Sequence, residues 1–201
     1  MIMMTPTLFL IGPAASGKDS LAHWLHTRFG YTVEHLMTPL ADLLATPPAH
    51  ALLEALNRPV EGRSRRLWQN LADAWRAENA RVFVNALLTR TRASDAPLVI
   101  ADGRLPEEIL ALRDAWPHLR VIQCMTPPDV REARLQRRDG LHDQHLQHHT
   151  EAAATDPALQ ALVDWIWIND DRPLADTLVS AEAWMILGCP SLRETEVSPW
   201  A

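Results

Sequence analysis

Four consecutive apolar residues, Leu8-Phe9-Leu10-Ile11, run straight into a polar stretch bounded by Gly12 and Gly17, and Leu21-Ala22-His23-Trp24-Leu25 then follow at helical spacing. An unbroken apolar run of this length is what a strand buried on both faces requires, so the pattern predicts strand, loop and helix in that order. Val33 opens a short strand-like piece leading to Pro39, which fits the first turn of a helix with Leu40, Leu43 and Leu44 as its apolar face. Pro47-Pro48 ends that helix. From Ser64 to Thr91 the apolar positions Leu67, Leu71, Trp75, Val82, Val84, Leu87 and Leu88 predict two helices hinged near Glu78–Arg81. Leu98 to Ala101 reads as a buried strand ending at Asp102, Pro106 to Trp116 as a helix, and Arg120 to Met125 as a third buried strand. A basic helix over Val130 to Arg138 leads into a histidine-rich polar segment that reaches about Thr155. Trp165 to Ile168 is the last predicted strand and Leu174 to Leu187 the last helix, with an irregular tail from Cys189 to Ala201 and no internal repeat.

Strands alternating with helices predict an α/β fold with a parallel sheet and helices on both faces. A ligand then belongs beyond the carboxyl ends of the strands, where the first loop, Asp102 and the residues after Met125 share one rim. That first loop, Gly12-Pro13-Ala14-Ala15-Ser16-Gly17-Lys18-Asp19-Ser20, has the form of a phosphate-binding P-loop. Its glycines allow successive N–H groups to aim at one phosphate, the helix start adds positive potential, and Lys18 reaches the β- and γ-phosphates. Gly12, Ala14, Ala15, Ser16, Gly17, Lys18, Asp19 and Ser20 are therefore the expected ATP-phosphate contacts. Asp19 stands where Ser or Thr usually follows the lysine. As a hard oxygen donor it suits Mg2+, with Ser20 and Asp102 as companions, and the competing reading is a carboxylate that only caps the helix.

Composition sharpens the picture in four places. The 201 residues are 47% apolar and 22% charged, which excludes overall disorder, and no apolar run approaches a bilayer span. A net charge of −6 argues against binding a nucleic-acid polymer but leaves room for a local anion site. The basic residues number 19, of which one, Lys18, is lysine and the other 18 are arginine. The arginine bias has spared one position, and there a P-loop needs a compact ammonium. Two cysteines, Cys124 and Cys189, lack metal or disulfide spacing, and the N-terminus lacks a signal peptide's charged region, so a cytoplasmic location is expected.

Spacings of three and four put Arg131, Arg134 and Arg138 on one face of the basic helix. Such a face is either solvated, with Glu132 and Asp139 as partners, or closes over an anion, and phosphoryl transfer requires cations of that kind on the moving group. The histidines His142, His145, His148 and His149 read as a polar insert more readily than as a metal site. Trp68, Trp75, Trp165 and Trp167 fall on apolar faces and are expected in the core, with a base pocket as the second option for Trp68 and Trp75.

The loop sequence GPAASGKDS, with Asp after the lysine, resembles that of the bacteriophage deoxynucleoside monophosphate kinases. Four further stretches are similar to that family in order and spacing: Leu36 to Asp42 with its Pro39-Leu40 pair, Arg65-Arg66-Leu67-Trp68-Gln69-Asn70-Leu71, Val99 to Arg104, and Ile168-Asn169-Asp170-Asp171 followed by Leu174. Ala41 stands where the family has a lysine. The resemblance implies one P-loop kinase domain over 1–188, with a helical acceptor-binding part at about 36–92, a lid at about 129–157 and a tail over 189–201. It implies transfer from ATP, with Mg2+, to a (deoxy)nucleoside monophosphate held by Pro39, Leu40, Arg66, Gln69, Asp102 and Arg104, with Asn169 bordering the adenine. Small nucleotides are then the partners, in the cytoplasm (a host's, for a phage-encoded chain), with no membrane and with a homodimer left open. Animal-type phosphomevalonate kinases and dephospho-CoA kinases share some of these landmarks and remain alternatives. A regulator or slow ATPase that transfers to no small acceptor is the alternative of another class.

Overall fold

In the computed structural model, residues 5–49, 65–103, 105–139 and 156–191 are described, and the side chains at 65–69 and at 138 and 139 are set aside. Five strands, β1 (Leu8–Ile11), β2 (Thr32–Glu34), β3 (Leu98–Ile100), β4 (Arg120–Met125) and β5 (Trp165–Ile168), form one sheet in the order β2-β3-β1-β4-β5. Every pairing is parallel, as in Leu8 with Val99 and with Arg120, Thr32 with Leu98, and Ile122 with Trp165. The four side chains of β1 have no solvent exposure at all. A central parallel strand is covered on both faces, which is why it reads as a solid apolar run and not as an alternation.

The helices are α1 (Lys18–Phe29), α2 (Thr38–Leu44), α3 (Arg65–Glu78), α4 (Val82–Thr91), α5 (Pro106–Ala115), α6 (Pro128–Asp139), α7 (Pro157–Gln160) and α8 (Leu174–Ile186). On one sheet face Leu8, Leu10, Val99, Ile122, Cys124 and Trp167 pack with Leu21, Ala22 and Leu25 of α1 and with Leu178, Ala181 and Trp184 of α8. The strand period of two sends Phe9 and Ile11 to the other face. There Gly103 lies so close to the Phe9 ring that a β-carbon would stand 2.0 Å from it. At the sheet edge the Trp165 and Trp184 rings stack 4.8 Å apart, and Trp167 Nε1 donates to Thr177 O at 2.8 Å.

Asp164, immediately before β5, ties distant segments together. Its carboxylate accepts from Arg113 Nη2 at 2.7 Å, Val121 N at 2.8 Å and Ser191 Oγ at 2.7 Å, with a side chain only 4% exposed. A buried carboxylate is tolerable on those terms, because each of its oxygens finds a donor and one partner carries charge.

The chain divides into two compact units, one of Met1–Glu34 with Ser94–Ala201 and one of His35–Ala93. The first holds the sheet. The second has its own packing: Trp75 stacks on Phe83 at 5.8 Å, the Arg76 guanidinium lies 5.0 Å over the same ring, and Arg90 donates to His35 O at 3.0 Å. Trp75 is half-buried there. Leu40 is buried on α2, but Leu43 is 47% exposed, against the expected apolar face of Leu40, Leu43 and Leu44. The buried Leu40 and the half-buried Leu44 are four apart on α2, so the covered stripe runs through them and leaves Leu43 outside it. No helix among the described residues is long and apolar enough to cross a membrane.

Burial pushes the Cys124 thiol up to about 12 and the Cys189 thiol up to about 11, and it raises the Tyr31 phenol, whose hydroxyl donates to Pro6 O. In each case the folded state holds its proton more tightly than the unfolded chain. The thiols therefore contribute full stability below their ordinary value of 9.0 and the phenol below its ordinary 10.0, and each contribution is lost as the pH climbs above that value. Denaturant midpoints measured from pH 7 to pH 11 should fall beyond about pH 9. Cys124→Ala with Cys189→Ala should flatten part of that decline.

Candidate phosphate-binding site

The loop after β1 begins where the strand order departs in opposite directions, β3 and β2 on one side and β4 and β5 on the other. In open parallel sheets that is the place where a crevice forms beyond the strand ends. Gly12 makes the exit turn with φ 138°, where a β-carbon would lie 2.4 Å from Cys124 O and 3.0 Å from Ser16 Oγ. Ser16 N donates to Pro13 O at 3.3 Å, closing a turn in which Ala15 has φ 61°. Gly17 at φ 90° then caps α1, whose first residue is Lys18. A left-handed backbone is strained for any residue with a β-carbon, so both glycines are required and Ala15 carries local strain.

Lys18 is nearly buried, and its ammonium donates to Gly12 O and Pro13 O, both at 2.7 Å, and to Ser16 Oγ at 3.4 Å. The charge thus sits inside the loop's own curve. Ser16 is fully buried, and its carbonyl accepts from Asn169 Nδ2 at 3.0 Å and from Thr126 Oγ1 at 3.1 Å. Asn169 N donates to Met125 O at 2.8 Å, continuing the β4–β5 ladder beyond the last strand residue. Arg134 of α6 donates to Asn169 Oδ1 at 3.3 Å and to Asp170 O at 2.6 Å.

These residues enclose a cavity of about 310 Å3, lined by Ala15, Gly17, Lys18, Asp19, Ser20, Arg134, Asn169, Arg172 and Leu174. Three cations, Lys18, Arg134 and Arg172, and one carboxylate, Asp19, therefore face one space together with the start of a helix, an arrangement that attracts an anion. Arg172 is held by Asp170, whose Oδ2 accepts from Nε at 2.9 Å, and this guanidinium keeps the Asp170 carboxyl below the usual carboxylate range.

Of the expected contacts, Ala15, Gly17, Lys18, Asp19, Ser20, Asn169 and Arg134 share the cavity. Gly12, Ala14 and Ser16 shape the loop from behind, and Asp102, half-buried just past β3, is not among the lining residues. Arg131 does not line the cavity either, and its Nε is buried without a hydrogen-bond partner. Pro39 and Leu40 belong to the second unit, where Leu40 is fully buried. Arg104 and the histidine segment 142–149 lie outside the described residues, as do the side chains of Arg66, Trp68, Gln69 and Arg138. Sequence reasoning passed over Arg172 and Thr126. Arg172 is the one basic residue between β5 and α8, a signal that was available; Thr126 gives none, because its role depends on a contact made 110 positions away.

Among the described residues no three His, Cys, Asp or Glu side chains group closely enough to hold a metal by themselves. Asp19 and Ser20 are exposed oxygen donors at the cavity wall. That donor set fits Mg2+, which typically takes one or two carboxylates and completes its shell with phosphate oxygens and water.

No protein-family model matches the chain, and no curated protein sequence does. Solved structures do match. A Thermus thermophilus protein, TT1252, is 21% identical over 90% of this chain and 97% of its own, with a TM-score of 0.60. A gluconokinase from Sinorhizobium meliloti 1021 is 19% identical over 92% of this chain and 93% of its own (TM-score 0.54). An APS kinase from Mycobacterium tuberculosis, solved with AMPPNP and APS, is 19% identical over 91% of this chain and 98% of its own (TM-score 0.54). The fold is that of the P-loop kinases. Within it, the parallel sheet and the glycine-bounded loop stand as the sequence predicts.

The glycines of this P-loop kinase fold give a graded test. Gly30→Ala meets no atom within 4 Å and should cost only its left-handed backbone term, about 1–2 kcal/mol. Gly17→Ala adds a clash with the Asn169 side-chain amide, which can yield only by giving up its hydrogen bonds to Ser16 O and Arg134. Gly12→Ala adds a clash with a strand carbonyl that cannot yield, and should be the most destabilising of the three by denaturant unfolding. An equal cost at all three positions would contradict this geometry.

Proposed function

We propose that the chain is a kinase that transfers the γ-phosphoryl group of ATP, in the presence of Mg2+, to the phosphate of a (deoxy)nucleoside monophosphate, releasing ADP. The observation that carries the reading is the chain's single lysine, Lys18, seated in a glycine-bounded loop at the sheet's switch point and facing one cavity with Asp19 and Arg134. The loop N–H groups and Lys18 bind the ATP phosphates, and Arg134 adds charge on the opposing helix. Asp19 and Ser20 would hold Mg2+, which would supply further neutralisation of the phosphate oxygens. An acceptor phosphate is already a competent nucleophile, so positioning and charge account for the rate and no strong base is required. The choice of a monophosphate acceptor rests on the resemblance of the stretches around Pro39, Arg66 and Gln69, and Asp102 and Arg104.

A second reading, transfer to a different small molecule, is favoured by the likeness to a gluconokinase and an APS kinase. One experiment separates them. Purified chain with ATP and Mg2+ is offered dAMP, dGMP, dCMP, dTMP, their ribo forms, phosphomevalonate, dephospho-CoA, gluconate and APS, and ADP release is scored. Stimulation by one or more monophosphates is the expected result. Stimulation by another acceptor alone supports the second reading, and ADP release that no acceptor alters points to an ATPase. Lys18→Ala should lower turnover at least ~100-fold, the scale of one lost transition-state charge contact. Lys18→Arg should not restore it, because the planar fork does not fit where the ammonium lies.

A further inference from the structure

We propose that Asn169 and Thr126 are positioning residues for the phosphate loop, holding the Ser16 carbonyl from behind so that the Ser16–Gly17 peptide keeps its N–H turned to the anion. The inference rests on the phosphate-binding reading of this loop and goes beyond it, since Asn169 acts here through the loop backbone and not on the base.

The peptide needs such a hold. Gly17 sits at φ 90° and, lacking a β-carbon, has the opposite sign of φ open to it at little cost. A flip of the Ser16–Gly17 plane would point a carbonyl at the phosphate in place of an N–H. Both lone pairs of Ser16 O are engaged, by Asn169 Nδ2 at 3.0 Å and Thr126 Oγ1 at 3.1 Å, and these donors come from two separate segments. Because a trans peptide carries N–H and C=O on opposite sides, fixing the oxygen fixes the N–H. Gly17 N–H finds no acceptor among the described residues.

The Asn169 amide is itself fixed. With Nδ2 on a carbonyl and Oδ1 receiving Arg134 Nη2 at 3.3 Å, only one of its two flip states satisfies both neighbours. The residue is 4% exposed, and a β-carbon at Gly17 would stand 2.0 Å from Nδ2, so the amide packs directly on that glycine. The arginine helix is thereby linked to the phosphate loop through one side chain.

The test uses the full chain and measures binding of ATP and of inorganic tripolyphosphate by calorimetry, with thermal melts alongside. Thr126→Val should weaken both ligands on the order of tenfold while leaving the melting temperature nearly unchanged, and Thr126→Ser should restore both. Asn169→Asp puts a carboxylate against the Ser16 carbonyl and should weaken both further. Should Asn169→Asp fail to fold, the Thr126 pair decides alone. Binding of both ligands as in the wild type by a folded Thr126→Val would overturn the proposal. So would a loss confined to ATP, since contact with the nucleoside and not with the phosphates would then be the role. A wild-type chain that binds neither ligand would overturn the phosphate-loop reading itself, and this proposal with it.

Discussion

The turn from β1 into α1 passes so close to the end of β4 that residue 12 can carry no side chain at all. The Cys124 carbonyl that would meet a β-carbon at Gly12 is not adjustable, because β4 is locked between β1 and β5 by the pairings Leu10 with Ile122 and Cys124 with Trp167. The sheet therefore fixes the loop's path before any side chain of the loop contributes. Given that path, Ser16 is driven inward, Gly17 must take a left-handed backbone, and α1 starts at Lys18 with its ammonium folded back onto Gly12 O and Pro13 O. A P-loop is in this sense a property of strand order: a strand flanked on both sides, and a glycine where the flanking backbone comes closest.

Arginine chemistry shows how strongly backbone carbonyls can stand in for counter-ions. The face of Arg131, Arg134 and Arg138 was expected to be either solvated or closed over an anion. In the structure Arg134 spends its donors on the carbonyls of Asn169 and Asp170, and Arg137 donates to Ala133 O one turn back. Arg172, by contrast, pairs with the Asp170 carboxylate, and Arg113 takes both the Asp164 carboxylate and Leu162 O. An arginine offers five donors in a rigid fork, so it can be satisfied by peptide oxygens without an opposite charge. A cluster of arginines in sequence is thus weaker proof of an anion site than their number suggests, and it is the shared cavity with Lys18 that gives Arg134 its weight.

Three of the five strands were legible to the residue, while β2 opens at Thr32, one residue before Val33, and β3 stops at Ile100, one residue before Ala101. Leu8–Ile11, Arg120–Met125 and Trp165–Ile168 have the bounds that the apolar runs predict, although of these three only β1 is buried throughout, and β5, at the sheet edge, ends on the exposed Ile168. The hinge after Glu78 was equally plain, and there α3 ends and α4 opens at Val82. Helix faces were less so. Spacing alone placed Leu43 with Leu40 and Leu44, and Arg131 with Arg134, but it cannot say how a helix is rotated against its neighbours, and Leu43 faces solvent while Arg131 misses the cavity. The phosphate loop was legible because all its determinants are local. Thr126 and Arg172 were not, since what they touch is decided by the parallel crossovers that bring the ends of β4 and β5 beside the loop.

Asp19 is where local rules and the site pull apart. A carboxylate at a helix start is ordinarily explained as a cap, yet the cap position here is Gly17, with no side-chain cap bond, and Asp19 is the second helical residue. Its side chain makes no hydrogen bond or salt bridge among the described residues, and it is exposed on the cavity wall. The helix start favours its negative charge by a few tenths of a kcal/mol up to about 1 kcal/mol, and that is its whole local benefit. Against this stands repulsion toward any phosphate the loop would bind, at a distance where like charges oppose each other strongly. Lys18, Arg134 and Arg172 on the same cavity offset part of that repulsion, and a divalent cation between Asp19 and the phosphate would offset the rest. This electrostatic argument stands beside the resemblance in sequence as support for the proposed use of Mg2+.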